Sequence, residues 1–363
     1  MRANKWLEGV TRIKIPRENK AENLRLDRAE RTINYNEDFF ARFMKTLTQE
    51  DFILYPSYEE YEQLQGKIAS QFGLESKNIY LATGSDMCIK DMIQVTCTQG
   101  SEVVSSVPCY PMYYVYAETV GANFIRVPYD DDGTFDINLL MAAVNNNTRL
   151  VVLTNPNSPY GDHKGTFEIE PLCRFLEKRG ITLLIDEAYV DYSPGSCMEL
   201  VKKYKNTIIS RTFSKAWGAA GSRAGYLVAD EGLISLVSRV QTTYPITGAG
   251  IKFISFLLDN RDEVENYVEQ TIRDRDLLCD LLEDAGYDVL RSHTNSIHLH
   301  ETNGDNQKTV GILDKHGVAF KCGGRITGTM VNVPGDPRTT WVRLSVGPGI
   351  QGTEFIREIL GDI

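Results

Sequence analysis

Short apolar runs alternate with amphipathic stretches through the middle of this chain. Residues 79–82, 102–107, 123–127, 150–153, 181–185 and 207–210 read as short buried strands, with a further strand at 224–228. Helices are predicted near 87–96, 112–120, 138–144 and 170–178, between them. Apolar strands separated by helices predict an α/β fold, with a mainly parallel, doubly wound sheet covered on both faces. Upstream, Tyr61, Leu64, Ile68 and Phe72 recur at helical spacing and Gly73 supplies the stop. Another helix is expected near 37–47, after an extended piece at 24–27.

The pattern changes near Asp259. A long charged helix at 261–285 reads as a connector, followed by strands at 288–290, 296–299, 318–321 and 342–346 and helices near 309–316 and 353–360. This predicts a smaller α+β domain made of residues 29–50 and 259–363, a large domain of 51–258, and an N-terminal arm of 1–28. Residues 323–338 are rich in Gly, Pro and Thr and read as an irregular surface loop.

Composition narrows the function. The chain has 363 residues, 42% apolar and 24% charged, enough for a large core. Its net charge of −10 leaves no excess of cations to neutralise a nucleic acid or an anionic membrane. No apolar run is long enough to span a bilayer, and the N-terminal residues lack the apolar core of a signal peptide, so a cytoplasmic protein is expected. Seven cysteines without C-x-x-C spacing read as reduced thiols. Five histidines show no metal-ligand spacing; His298 and His300 share a strand face, but two ligands do not make a zinc site.

In a doubly wound sheet, ligands bind at the carboxyl ends of the strands, so the polar residues there carry the chemistry. Ser214-Lys215, with Arg223 eight residues on, combines a candidate nucleophilic amine with groups able to hold a phosphate. That pairing is what pyridoxal phosphate asks of a protein; the plainer reading is a basic turn. Gly84-Ser85-Asp86 opens a helix whose free N–H groups suit a phosphate, unless Ser85 is an ordinary N-cap. Asp186 ends a buried strand and could pair with a pyridine nitrogen or cap the next helix; Tyr189, three residues on, could reach a ring hydroxyl. Tyr110 could stack on a flat ring or serve as core. Arg343, alone in a strand, could grip a carboxylate or form a surface salt bridge.

Together, in chain order, these residues resemble the fold type I pyridoxal-phosphate aminotransferases of class I/II, in their histidinol-phosphate aminotransferase-like branch, from about Leu24 to the C-terminus. The family's R-T-x-S-K is matched by Arg211, Thr212, Ser214 and Lys215, with Arg223 and Gly225-Tyr226 following, and Asp186 lies 29 residues before Lys215 inside D-E-A-Y. The resemblance implies that Lys215 forms the Schiff base. Asp186 would pair with the pyridine nitrogen and Tyr189 with the ring hydroxyl. Ser85, Asp86, Ser214 and Arg223 would hold the phosphate, and Tyr110 would stack on the ring. Tyr55, in the family's Y-P, would reach the neighbouring active site of a homodimer.

Departures fall on the rim. The family turn N-P-N-N-P-T-G is here Asn155-Pro156-Asn157-Ser158-Pro159-Tyr160-Gly161, so Asn157 is kept among the cofactor contacts while Ser158 stands where an asparagine usually bonds the ring. Tyr160 is expected to reshape the substrate side. Lys321 replaces an arginine of the family's G-V-x-x-R and would join Arg343 in binding substrate. The expected activity is transfer of an amino group from an amino acid, glutamate for example, to a keto or phosphorylated keto acceptor. The rivals are a decarboxylase of a phosphorylated amino acid and, disfavoured by the short stretch before the resemblance, a cofactor-sensing regulator.

Overall fold

The computed structural model describes residues 4–10, 24–130, 133–302, 306–323 and 341–362, with backbone alone for Cys322 and Gly323. The loop expected at 323–338 therefore lies almost wholly outside the described residues. In chain order the elements are β1 (Leu24–Arg25), α1 (Glu37–Met44), α2 (Glu50–Ile53), α3 (Tyr58–Ser70), β2 (Ile79–Thr83), α4 (Gly84–Thr96), β3 (Glu102–Val107), α5 (Met112–Thr119), β4 (Asn123–Pro128), α6 (Asn138–Ala143), β5 (Thr148–Thr154), α7 (Thr166–Glu177), β6 (Thr182–Asp186), α8 (Met198–Lys203), β7 (Thr207–Thr212) and β8 (Ala224–Val228). They continue with α9 (Glu231–Val237), α10 (Gly248–Asp259), α11 (Arg261–Asp284), β9 (Tyr287–Leu290), β10 (Ser296–Glu301), α12 (Gln307–Lys315), β11 (Val318–Ala319), β12 (Lys321–Gly323), β13 (Trp341–Ser345) and α13 (Glu354–Leu360).

Seven strands form one sheet in the order β2-β8-β7-β6-β5-β3-β4. β7, β6, β5, β3 and β4 run parallel, and β8 lies antiparallel to both its neighbours. A parallel return would need a crossover of a dozen residues or more. The chain between Thr212 and Ala224 folds straight back instead, and that return carries Ser214, Lys215 and Arg223. Alternate residues of each strand feed opposite faces. Val103, Leu150, Val152, Leu184 and Ile208 pack under α4 and α5, while Val104, Val151, Leu183, Ile185 and Ile209 pack under α3, α7 and α10.

The second sheet is antiparallel, in the order β12-β13-β10-β9. Ile297, Leu299, Val342 and Leu344 face a core shared with Leu278 and Leu282 of α11 and with Leu313 and Ile356. The alternation turns His298 and Arg343 to the other face. β1 pairs with β11, which ties Leu24 and Arg25 to this unit.

Residues 29–50 are expected with the smaller unit; within them, α1 packs on the large one. Phe39 and Phe43 of α1 pack against Phe256 and Phe253 of α10 at ring-centroid distances of 5.0 and 4.6 Å. The aromatic stripe of the helix thus shares the large core. Among the described residues no helix is long and apolar enough to cross a membrane. No cluster of three or more His, Cys, Asp or Glu that could hold a metal ion is found among them either.

Candidate active site

The ends of β6 and β7 build the centre. Their pairing runs through Asp186 opposite Ser210, so Asp186 and the return that follows β7 emerge side by side. Behind them lies an ion pair that the sequence reading passed over. Arg211 donates Nε–H and Nη2–H to Glu187 Oε2 at 3.0 and 2.8 Å, and Glu187 Oε1 accepts from the Cys197 N–H at 2.6 Å. The carboxylate is fully covered, so this pair cross-links the two strand ends from within.

Asp186 is 4% exposed. Its Oδ2 accepts the Tyr113 hydroxyl at 2.6 Å and its Oδ1 accepts the Ala188 N–H at 3.2 Å. It thus caps the next turn and still presents a carboxylate. Burial pushes its pKa up to about 6, against the lowering effect of these two hydrogen bonds. No ion pair with a Lys, Arg or His is found for it among the described residues. A buried carboxylate of this kind suits a cationic ring nitrogen. Tyr113, the second residue of α5, had no part in the sequence expectations, and no local motif marks it.

Lys215 opens a tight turn closed by the Gly218 N–H on its carbonyl. Its Nζ donates to the Arg28 carbonyl at 2.8 Å and lies 5.7 Å from the centre of the Tyr189 ring. The Arg28 carbonyl is delivered by a segment sewn to the small sheet. Ser345 donates N–H and Oγ–H to the Leu26 carbonyl, each at 2.8 Å, and Ser345 Oγ accepts the Ala29 N–H at 2.8 Å.

The cradle for an anion lies where β2 enters α4. Thr83, the residue before the helix, spends its hydroxyl on the Pro245 carbonyl, and no side chain caps the helix. Ser85 is therefore not the N-cap; it stands inside the first turn with its N–H and that of Asp86 uncapped. A Cβ on Gly84, whose φ is +77°, would come within 3.0 Å of Arg223 Nη2. A Cβ on Gly225 would fall 2.2 Å from the Ser85 nitrogen. Two glycines thus let a guanidinium and a strand close on the helix N-terminus, the geometry that receives a phosphate. Ser214 Oγ accepts from the Thr212 hydroxyl at 3.0 Å, which leaves its own proton to donate. Asp86 orients the wall: its carboxylate accepts from Tyr110 at 3.0 Å and from Tyr116 at 2.7 Å. Tyr110 stands edge-on to Tyr113 with ring centres 5.7 Å apart.

Opposite, Arg343 and Lys321 are directly paired across β13 and β12. Arg343 Nη2 donates to the Asp27 carbonyl at 2.6 Å, and no carboxylate partner is found for it among the described residues. A surface salt bridge is therefore not its arrangement. Lys321 keeps exposed surface, yet crowding of its amine and the cations Arg343, Lys215 and Arg28 push its pKa down to about 8, with Asp27 opposing.

Other expected residues lie elsewhere. Tyr160 is 6% exposed and stacks on Tyr129 at 4.6 Å, which stacks on Phe135 at 4.7 Å. Tyr160, expected to shape the substrate side, thus rests its ring on one aromatic partner, Tyr129. Asn157 spends its side chain on the turn, donating to the Pro108 carbonyl at 3.2 Å and accepting from the Tyr160 N–H at 3.2 Å. Ser158 is half-buried beside it. Tyr55 is 77% exposed and stacks on Tyr244 with ring centres 4.3 Å apart, in an exposed run with Phe52, Ile53, Leu54 and Tyr58.

The family model described as aminotransferase class I and II matches residues 23–357. An aromatic amino acid aminotransferase of Mycolicibacterium vanbaalenii is 32% identical over 66% of this chain and 69% of that protein. Histidinol-phosphate aminotransferase 1 of Carboxydothermus hydrogenoformans is 28% identical over 94% and 93%. Among solved structures, a histidinol-phosphate aminotransferase from Sinorhizobium meliloti in complex with pyridoxal-5'-phosphate superposes with a TM-score of 0.76 at 24% identity, covering 94% of this chain and 89% of that one.

Proposed function

The chain belongs to the class I and II aminotransferases, and on that footing we propose how its own residues divide the work and which substrates they favour. It is a pyridoxal-phosphate enzyme that exchanges an amino group between amino and keto acids; a decarboxylase is not favoured. The cofactor fits the residues present. Asp186 would face its ring nitrogen. The N–H groups of Ser85 and Asp86, the Ser214 hydroxyl and Arg223 would hold its phosphate. Tyr110 would cover its ring, and Tyr189 would stand by its hydroxyl. When bound, the group supplies an electron-poor ring that absorbs the electron pair left by a departing Cα proton.

The chain's residues do the rest. Lys215 Nζ would anchor the group and, as a free amine, would hold the proton that leaves the substrate Cα. Asp186, its charge retained by the Tyr113 hydroxyl, keeps the ring nitrogen protonated. Arg343 and Lys321 bind the substrate's anionic groups, which favours a donor such as glutamate and an acceptor with a second anion, carboxylate or phosphate. Tyr55 and its exposed apolar neighbours Phe52, Ile53 and Leu54 suit the interface of a homodimer, where Tyr55 would reach the other protomer's phosphate.

The observation that carries this reading is the buried Asp186, without an ion-pair partner among the described residues, beside the Lys215 turn. The test is the visible absorbance of the holoenzyme mixed with L-glutamate and other donors. Conversion to the amine form of the cofactor in wild type, with a loss of about 10³-fold or more in Lys215→Ala, is expected. Turnover of Lys215→Ala at the wild-type rate would refute it.

A further inference from the structure

Arg343 stands between two residues in sheet register, Lys321 on β12 and His298 on β10. Residues directly opposite in an antiparallel pair project to one face with Cβ atoms about 5 Å apart. His298 is 4% exposed, and its Nδ1 is buried with no hydrogen-bond partner among the described residues. Arg343 Nε is likewise buried and has no partner among them, although the same guanidinium donates Nη2–H to the Asp27 carbonyl. Two buried, unpaired polar atoms on adjacent residues are costly, and one is a donor while the other can accept. Burial and the neighbouring Arg343 hold the His298 pKa down at about 3, so the ring is neutral and one of its nitrogens carries a lone pair. With the ring proton on Nε2, that lone pair is on Nδ1.

We propose that His298 is a positioning residue for Arg343, its Nδ1 accepting the Nε–H once a substrate carboxylate replaces the Asp27 carbonyl at the guanidinium. A carboxylate is a better acceptor than an amide carbonyl, so an arriving anion draws the head group off Asp27. The guanidinium is then fixed from behind by an uncharged imidazole. A cation at this position would repel it, and an acid would neutralise the charge the substrate needs. His298 touches no reacting atom; it acts through Arg343 alone.

This inference rests on reading Arg343 as the anion-binding residue, and one set of variants separates the two. The holoenzyme is titrated with succinate, and KM and the limiting rate are measured for the half-reaction with L-glutamate. His298→Leu is expected to raise the succinate Kd and the glutamate KM about tenfold or more while the limiting rate stays within about twofold, and His298→Asn, which keeps an acceptor, recovers most of the loss. His298→Met, apolar and unbranched, serves the same test if leucine does not give a folded holoenzyme. An unchanged Kd in the apolar variant overturns the role, as does a fall in the limiting rate that asparagine fails to recover. Arg343→Leu is the control. If it too leaves succinate binding unchanged, the reading of Arg343 fails and this inference with it. If Arg343→Leu weakens binding and His298→Leu does not, the role of His298 alone is lost.

Discussion

Arg211 donates two N–H groups to a single oxygen of Glu187 across the neighbouring strands β7 and β6, at 3.0 and 2.8 Å. Glu187 follows Asp186 directly and Arg211 precedes Lys215 by four residues. The pair therefore sets the spacing of the two residues on which the chemistry depends. Glu187→Gln leaves a buried guanidinium without its counter-charge and should cost about 3 kcal/mol or more in unfolding free energy. The double variant Glu187→Gln/Arg211→Met should recover part of that loss. Denaturant unfolding of the three proteins checks both; equal stability of Glu187→Gln and wild type would sink the argument.

Asp186 gives a pH dependence with a definite sign. Its folded pKa, about 6, lies above the ordinary aspartate value. Folding therefore favours the protonated form, and the stability this contributes is full below about pH 4 and lost as pH rises through about 6. Without cofactor, Asp186→Asn should be more stable than wild type above pH 6 by about 3 kcal/mol, and equal to it near pH 4. The asparagine fits because the Tyr113 hydroxyl can turn toward Thr154, 2.9 Å away. Amino transfer in the same variant should fall steeply. Thermal unfolding across pH 4 to 8 is the measurement, and a constant difference across that range would contradict the assignment.

Gly225 is replaceable only by separating β8 from α4. Its Cβ would lie 2.2 Å from the Ser85 nitrogen and 2.4 Å from the Gly84 carbonyl carbon, both backbone atoms that cannot step aside. Gly225→Ala should weaken pyridoxal phosphate binding about tenfold or more by opening the phosphate cradle. An absorbance titration of the cofactor-free protein reads this directly. Wild-type affinity would show that the cradle is not where the phosphate sits.

Lys321 sets a limit on anion binding. Its pKa is pushed down to about 8, so its charge is present below that pH and lost above it. Succinate affinity of the holoenzyme should decline as pH rises through about 8. Lys321→Arg, charged at every accessible pH, should remove that decline. A Lys321→Arg profile identical to wild type would assign the titration to another group.

The strand-end motifs were legible because each is local. A strand, a turn and a few polar residues lie together in sequence, so Lys215, Asp186 and Arg223 could be placed without knowing what packs where. What lay hidden is tertiary. Tyr113 matters only because α5, packed along β3 and β4, brings its hydroxyl onto Asp186 at the end of β6. The stacking of Tyr160 on Tyr129 joins two rings well apart in sequence, which the turn's own sequence does not reveal. The aromatic stripe of α1 announced a helix without saying which core it would join. The row Lys321–Arg343–His298 arises from sheet register, which no single segment contains.

The bond from Lys215 Nζ to the Arg28 carbonyl has a bearing on timing. It fastens the Leu24–Ala29 strip, itself bonded to Ser345 of β13, to the return that follows β7, using the very amine that loading must consume. Whenever that amine enters a covalent bond, the fastener opens. The strip then becomes a gauge of occupancy. Amide exchange at Ala29 and Glu30 should quicken when the empty protein is loaded, and a newly made chain would hold its substrate wall in place until its cofactor arrives.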